Sequence, residues 1–192
     1  VRFLGTTGLG VTVSQFEYLA VFISIIFGIA VTHIMAGVMR SLYRGERDVT
    51  HVVFAAFMFF MLSLNWWTSF RWAGNEVWSI EIFIVIIVWA MMHYIAAIAL
   101  YPPLSAGSEQ PFEYRRRWFL IAFVIAVLLD IVHTWLLGKL FDPVVYLPFV
   151  LHYILLCVIA IVLRNEVVYR WLAWYLLISL LVWAFVVRRF IG

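Results

Sequence analysis

The chain has 192 residues, of which 67% are hydrophobic and 12% charged, with a formal net charge of +3. Soluble domains run near half apolar and about a quarter charged, so a soluble globular class is excluded. The small positive charge concerns membrane topology and anionic lipid; nucleic acid is not an expected partner.

The opening stretch VRFLGTTGLGVTVSQ lacks a basic region followed by an apolar core and a small-residue cleavage site. It reads as a polar arm before the first span, not as a signal peptide. Crossing a hydrocarbon layer of about 30 Å takes roughly 17–25 helical residues. Continuous apolar runs at 18–38, 52–70, 82–101, 118–137, 145–163 and 171–187 meet that requirement. They are unbroken rather than alternating, and in lipid a helix satisfies its own backbone, so each is predicted as a transmembrane helix. Polar or Gly/Pro-containing breaks at 44–48, 73–76, 102–108, 142–143 and 164–166 separate them. The expected fold is therefore all-α: one six-helix transmembrane bundle with short loops and no soluble domain.

The first predicted helix carries Ala20, Ser24, Gly28, Thr32 and Ala36 at every fourth position. This seam of small residues lets helix backbones approach closely, against a helix of this chain or of another. The loops after the first, third and fifth spans hold Arg40, Arg44, Arg47, Arg115, Arg116, Arg117, Arg164 and Arg170. The other side holds Arg2, Arg71, Lys139, Arg188 and Arg189. The excess of basic residues on the first side favours both termini outside. Arg115, Arg116 and Arg117 are contiguous, which suits contact with lipid phosphates rather than voltage sensing. Compactness and short loops point to a bacterial inner membrane. The Trp66-Trp67 pair reads as an interfacial belt, Glu17 and Glu81 as helix N-terminal charges, and His51, beside a loop, as solvated. Cys157, the single cysteine, lies in an apolar run and reads as a packing residue.

Ionisable groups within spans are costly and tend to mark a site. Counting depth at about 1.5 Å per residue brings several of them to one level. The upper face is defined by the 2–3 and 4–5 loops. Asp130 and His152 then lie about two turns below it and His133 about one turn. Asn65, Thr68, Ser69 and Trp72 form a stripe at i, i+3, i+4, i+7 on the second helix at the same level. His93 lies near mid-depth, and His33 is close to the lower face. Asp130, His133, His152, Asn65 and His93 are therefore the candidate ion, proton or ligand site.

The simplest role for this layer is a hydrogen-bonded lock that fixes helix register. The next is a proton or ion pathway, since histidine titrates near neutral pH. A third is haem or metal ligation, with His133, His152 and Asp130 as ligands, or with His133 or His93 facing His152 across a bis-histidine haem. For His93, flanked by Trp89, Ala90, Ala96 and Ala97, a close helix crossing is the expectation. No nucleophile elbow, HExxH motif or phosphate-cradling glycine loop is present, so no catalytic machinery is expected. The leading expectation is a non-enzymatic component of a larger membrane assembly, or a homo-oligomer. A small transporter or channel and a redox subunit follow.

Overall fold

The computed structural model describes residues 14–45, 48–75, 77–102 and 112–187. Arg2, Arg47, Arg188, Arg189, the polar arm before residue 14 and most of the 102–108 break lie outside them. Among the described residues there are six helices long and apolar enough to cross a membrane. They are α1 (Gln15–Tyr43), α2 (Val49–Ser69), α3 (Ile80–Leu100), α4 (Phe112–Leu136), α5 (Tyr146–Leu163) and α6 (Glu166–Val186). A single 3-10 turn, Phe70–Trp72, follows α2. The chain is an all-α integral membrane protein.

The helices outrun the apolar segments where capping and interfacial residues extend them. α1 starts at a capping box: the Ser14 hydroxyl accepts from Glu17 N–H, and the Glu17 carboxylate accepts from Ser14 N–H. Asp48, Ser79 and Asn165 cap α2, α3 and α6 in the same sense, each accepting from a first-turn N–H. Glu81 also stands in the first turn of α3, as its helix-terminal role requires. α4 begins before its apolar run, so that Arg115, Arg116 and Arg117 are helical.

The six helices close into a ring in which α1 packs on α3, α3 on α4, α4 on α5, α5 on α6, α6 on α2 and α2 back on α1. The start of α1, the end of α6 and the α2–α3 and α4–α5 loops share the upper end. The lower half of the ring is filled by aromatics: Phe54 meets Phe119 and Phe57 meets Phe123, each pair edge-on at 5.2 Å between centroids. Such edge-to-face pairs hold geometry as well as area. Outward positions such as Val21, Ile25, Ile84, Leu155 and Val182 are exposed, as lipid-facing residues should be.

The tightest packing at a glycine of α1 is not at the predicted seam. It is at Gly37, where an added Cβ would lie 2.2 Å from Cγ of Tyr101. Along the seam, Ala20 and Ser24 are half-buried while Gly28, Thr32 and Ala36 face outward. Nothing lies within 4 Å of the Cβ position of Gly28. Ser24 accepts from Trp66 Nε1 at 2.9 Å and donates to the carbonyl of Ala20. Trp66 and Trp67 are both partly exposed, consistent with a belt position.

The C-terminal end of α3, stopped before two prolines, gathers donors from three helices. Leu100 O accepts from His51 Nε2 and from an Arg115 guanidinium N–H, each at 2.9 Å. Tyr101 O accepts from His33 Nε2, and Pro102 O from Arg40 at 3.3 Å. Basic donors at a helix C-terminus satisfy its last carbonyls and oppose the negative end of its dipole. His51 is therefore buried, not solvated: its ring is stacked between Tyr101 and Phe112 at 4.2 and 4.1 Å. The arginine cluster is likewise divided. Arg115 serves α3, and Arg116 pairs with Glu166 and lies 4.0 Å over the Tyr169 ring, whereas Arg117 is exposed.

Candidate functional site

Above the aromatic plug, α2 to α6 enclose a cavity of about 100 Å³ that runs from mid-depth to the upper loops. At ~30 Å³ per water, it has room for at least three waters or a solute of that bulk. Its walls are the inward stripes of five helices. α4 and the residue after it contribute Val127, Asp130, His133, Thr134 and Leu137, which lie along one helical face. α5 contributes Tyr146, Phe149, Val150 and Tyr153. Asn65, Thr68 and Trp72 come from the polar stripe of α2, Trp89 and His93 from α3, and Leu180 and Trp183 from α6. Ser69, the remaining member of that stripe, is buried off the cavity and donates to Trp66 O.

The polar groups form two linked units. On α3, His93 Nδ1 lies 2.9 Å from Trp89 O, so this nitrogen carries the proton, since a carbonyl only accepts. Its Nε2 then accepts from the Asn65 amide at 2.9 Å, joining α3 to α2. On α4, His133 Nδ1 similarly faces Leu129 O at 3.2 Å. This leaves His133 Nε2 3.8 Å from Asp130 Oδ1, within Coulombic reach but too long for a hydrogen bond. The other Asp130 oxygen accepts from the Tyr146 hydroxyl of α5, and Thr134 Oγ1 stands 3.3 Å from that hydroxyl. His133 is almost fully buried, whereas the Asp130 side chain keeps 24% of its surface exposed.

Aromatic rings frame these units. His133 packs against Trp72 and Trp89 with centroids 5.1 and 4.9 Å away, and Trp89 also meets His93 at 5.0 Å. Trp183 stacks on Phe149 at 4.0 Å. Trp89 is buried, and its indole N–H has no hydrogen-bond partner among the described residues.

The cavity mouth is basic and tied. Gly138, at φ +68°, ends α4 in a Schellman turn: Lys139 N–H donates to Thr134 O and Gly138 N–H to Trp135 O. A left-handed residue is needed there, and glycine adopts it without a Cβ clash. The turn delivers Lys139 to the mouth, where its ammonium donates to Arg71 O. Arg71 in turn donates to the carboxylate of Asp142 at 2.8 Å and to its carbonyl at 2.9 Å. Burial holds the Lys139 ammonium below its usual pKa, with the Arg71 charge acting in the same direction and Asp142 opposing.

Of the five predicted site residues, Asn65, His93, Asp130 and His133 line this cavity and His152 does not. His152 sits at the predicted depth, but its ring faces Phe149, Tyr153 and Tyr175, beside α6. A haem or metal site shared by His133 and His152 would therefore need a different arrangement of α5. Among the described residues, no group of three or more His, Cys, Asp or Glu side chains is placed to hold a metal ion. His93 has both predicted surroundings, with Ala90, Ala96 and Ala97 fully buried on its own helix and Asn65 on its Nε2. Tyr146, Trp89, Trp183, Arg71 and Lys139 were not anticipated as cavity residues. No family model, curated protein or solved structure matches the chain.

Proposed function

We propose that the protein is a small membrane carrier in which the upper cavity is a proton-accessible solute site. The observation that carries this reading is the Asp130–His133 pair, a part-exposed carboxylate 3.8 Å from an imidazole inside a cavity that reaches the membrane surface. A carboxylate and an imidazole this close can hold either a proton or a cationic solute at the same place. A mere register lock needs neither the open volume nor the exposed carboxylate. The setting assigned to it is a bacterial inner membrane with both termini outside.

A carrier presents its site alternately to the two faces. Val127→Cys, on the cavity wall, is therefore expected to react with a membrane-impermeant thiosulfonate from either face in oriented vesicles of a Cys157→Ala background. Reaction from the upper face alone would leave a static pocket and end the carrier reading.

The outward position of Gly28, Thr32 and Ala36 supports a second reading, membership of a larger membrane assembly or homo-oligomer through α1. Gly28→Leu is expected to reduce cross-linking between helices of neighbouring chains while leaving the monomer folded. Unchanged cross-linking, or none in the parent protein, removes α1 as an interface.

A further inference from the structure

The cavity combines one accessible carboxylate with an unusual amount of aromatic wall, and this bears on what fills it. Asp130 is the only carboxylate among the lining residues, and Tyr146 holds one of its oxygens. Trp72 and Trp89 stand edge to face at 5.7 Å on one wall, and Trp183 with Tyr146 completes the enclosure. Aromatic faces attract cations, and substituted ammonium groups are the ones whose weak hydration makes the exchange favourable. A strongly hydrated metal cation would want a denser set of oxygen ligands than one carboxylate and its neighbours provide.

The cations at the mouth do not cancel this preference. Arg71 is neutralised by Asp142, and the Lys139 ammonium is turned onto Arg71 O. One donor of a lining residue is left over: the Trp89 indole N–H, buried and without a partner among the described residues. An unsatisfied buried donor is costly, and an acceptor oxygen on the ligand removes that cost.

We infer that the cavity binds a small solute with a substituted ammonium head and an acceptor oxygen, the head on Asp130 among the tryptophans and the oxygen on Trp89. The inference rests on the reading of the cavity as a solute site. Charge complementarity sets the order of binding: such a solute binds better than its neutral isostere and better than a small anion.

The test is binding to the purified full chain in nanodiscs, read by calorimetry, with choline, 3,3-dimethylbutan-1-ol and acetate as probes. Choline is expected to bind at least tenfold more tightly than the alcohol, which has its shape without its charge, and acetate not to compete. Asp130→Asn is expected to abolish choline binding. Trp89→Phe, which keeps a ring and loses the N–H, is expected to weaken it severalfold, and this variant serves if Asp130→Asn fails to fold. Equal binding of the alcohol, displacement by acetate, or absence of choline binding overturns the ligand class. Labelling of Val127→Cys separates the two levels. A cavity that labels from both faces but ignores choline keeps the carrier reading and rejects this ligand.

Discussion

Tyr146, the first residue of α5, donates its hydroxyl to Asp130 near the C-terminal end of α4, and so ties two neighbouring helices through the one carboxylate among the cavity-lining residues. The contact gives the acid a fixed orientation: one oxygen is held by the tyrosine, and the other is turned toward His133. Without the hydroxyl the carboxylate is free to rotate, and part of the helix–helix tie is lost.

The tie is measurable by a double-mutant cycle with Tyr146→Phe and Asp130→Asn. Interhelical hydrogen bonds in membranes average well under the value expected in hydrocarbon, so a coupling of about 1 kcal/mol is expected. Reversible unfolding of the four proteins in mixed micelles reads it. Strict additivity would show that the contact adds nothing to the pairing of α4 with α5.

Two glycines of α1 are expected to behave oppositely. Gly37→Ala drives a methyl into the ring of Tyr101, whose carbonyl is already held by His33, so the ring has little room to yield. A loss of about 1–3 kcal/mol follows from overpacking. Gly28→Ala meets nothing and replaces a poor helix former, so the isolated chain is expected to be unchanged or stabilised by up to about 1 kcal/mol. Thermal unfolding of the two variants in one detergent compares them directly. A larger loss at Gly28 than at Gly37 would contradict the packing.

The buried His51 makes a prediction that a solvated side chain would not. His51→Ala removes a ring stacked on both faces and is expected to cost about 2–4 kcal/mol. His51→Phe keeps the stack and loses the donor to Leu100 O, a loss of about 1 kcal/mol. If the two substitutions are equally mild in unfolding measurements, the ring does not anchor the end of α3.

These residues show which features the sequence made legible and which it did not. Continuous apolar runs and their breakers specify six helices, because backbone satisfaction in lipid leaves few alternatives. Depth is equally legible, since rise per residue is constant, and it brought Asp130, His133, His152 and Asn65 to one level with His93 just beneath. Direction around the helix is the quantity that depth omits. On α5 the buried residues Tyr146, Val150, Tyr153, Cys157 and Ala160 follow a three-to-four spacing. Tyr146 and Tyr153 lie on that stripe and His152 lies beside it, so the same periodicity distinguishes the residue that reaches Asp130 from the one that does not. On α1 the stripe is Leu19, Ile23, Phe27, Ala30, Ile34 and Gly37, and the small-residue seam is displaced from it. His51 was misplaced for another reason. Its partners Tyr101 and Phe112 belong to the ends of other helices, and no local pattern marks so distant a contact.

Lys139 is the only lysine in the chain, so amine-specific chemistry reports on the cavity mouth alone, apart from the terminal amine. Burial and the neighbouring Arg71 charge both disfavour its ammonium, which lowers its pKa and raises the neutral fraction at any given pH. The nucleophile in acylation is the neutral amine. A small succinimidyl ester should therefore modify Lys139 at lower pH than an ordinary peptide lysine, as read by peptide mass spectrometry. Arg71→Gln removes a like charge, moves the pKa up and slows the reaction. Asp142→Asn removes the opposing carboxylate, moves it further down and speeds the reaction. A pH midpoint at or above that of a model lysine, or the reverse order of the two variants, would show that the mouth does not hold Lys139 against Arg71.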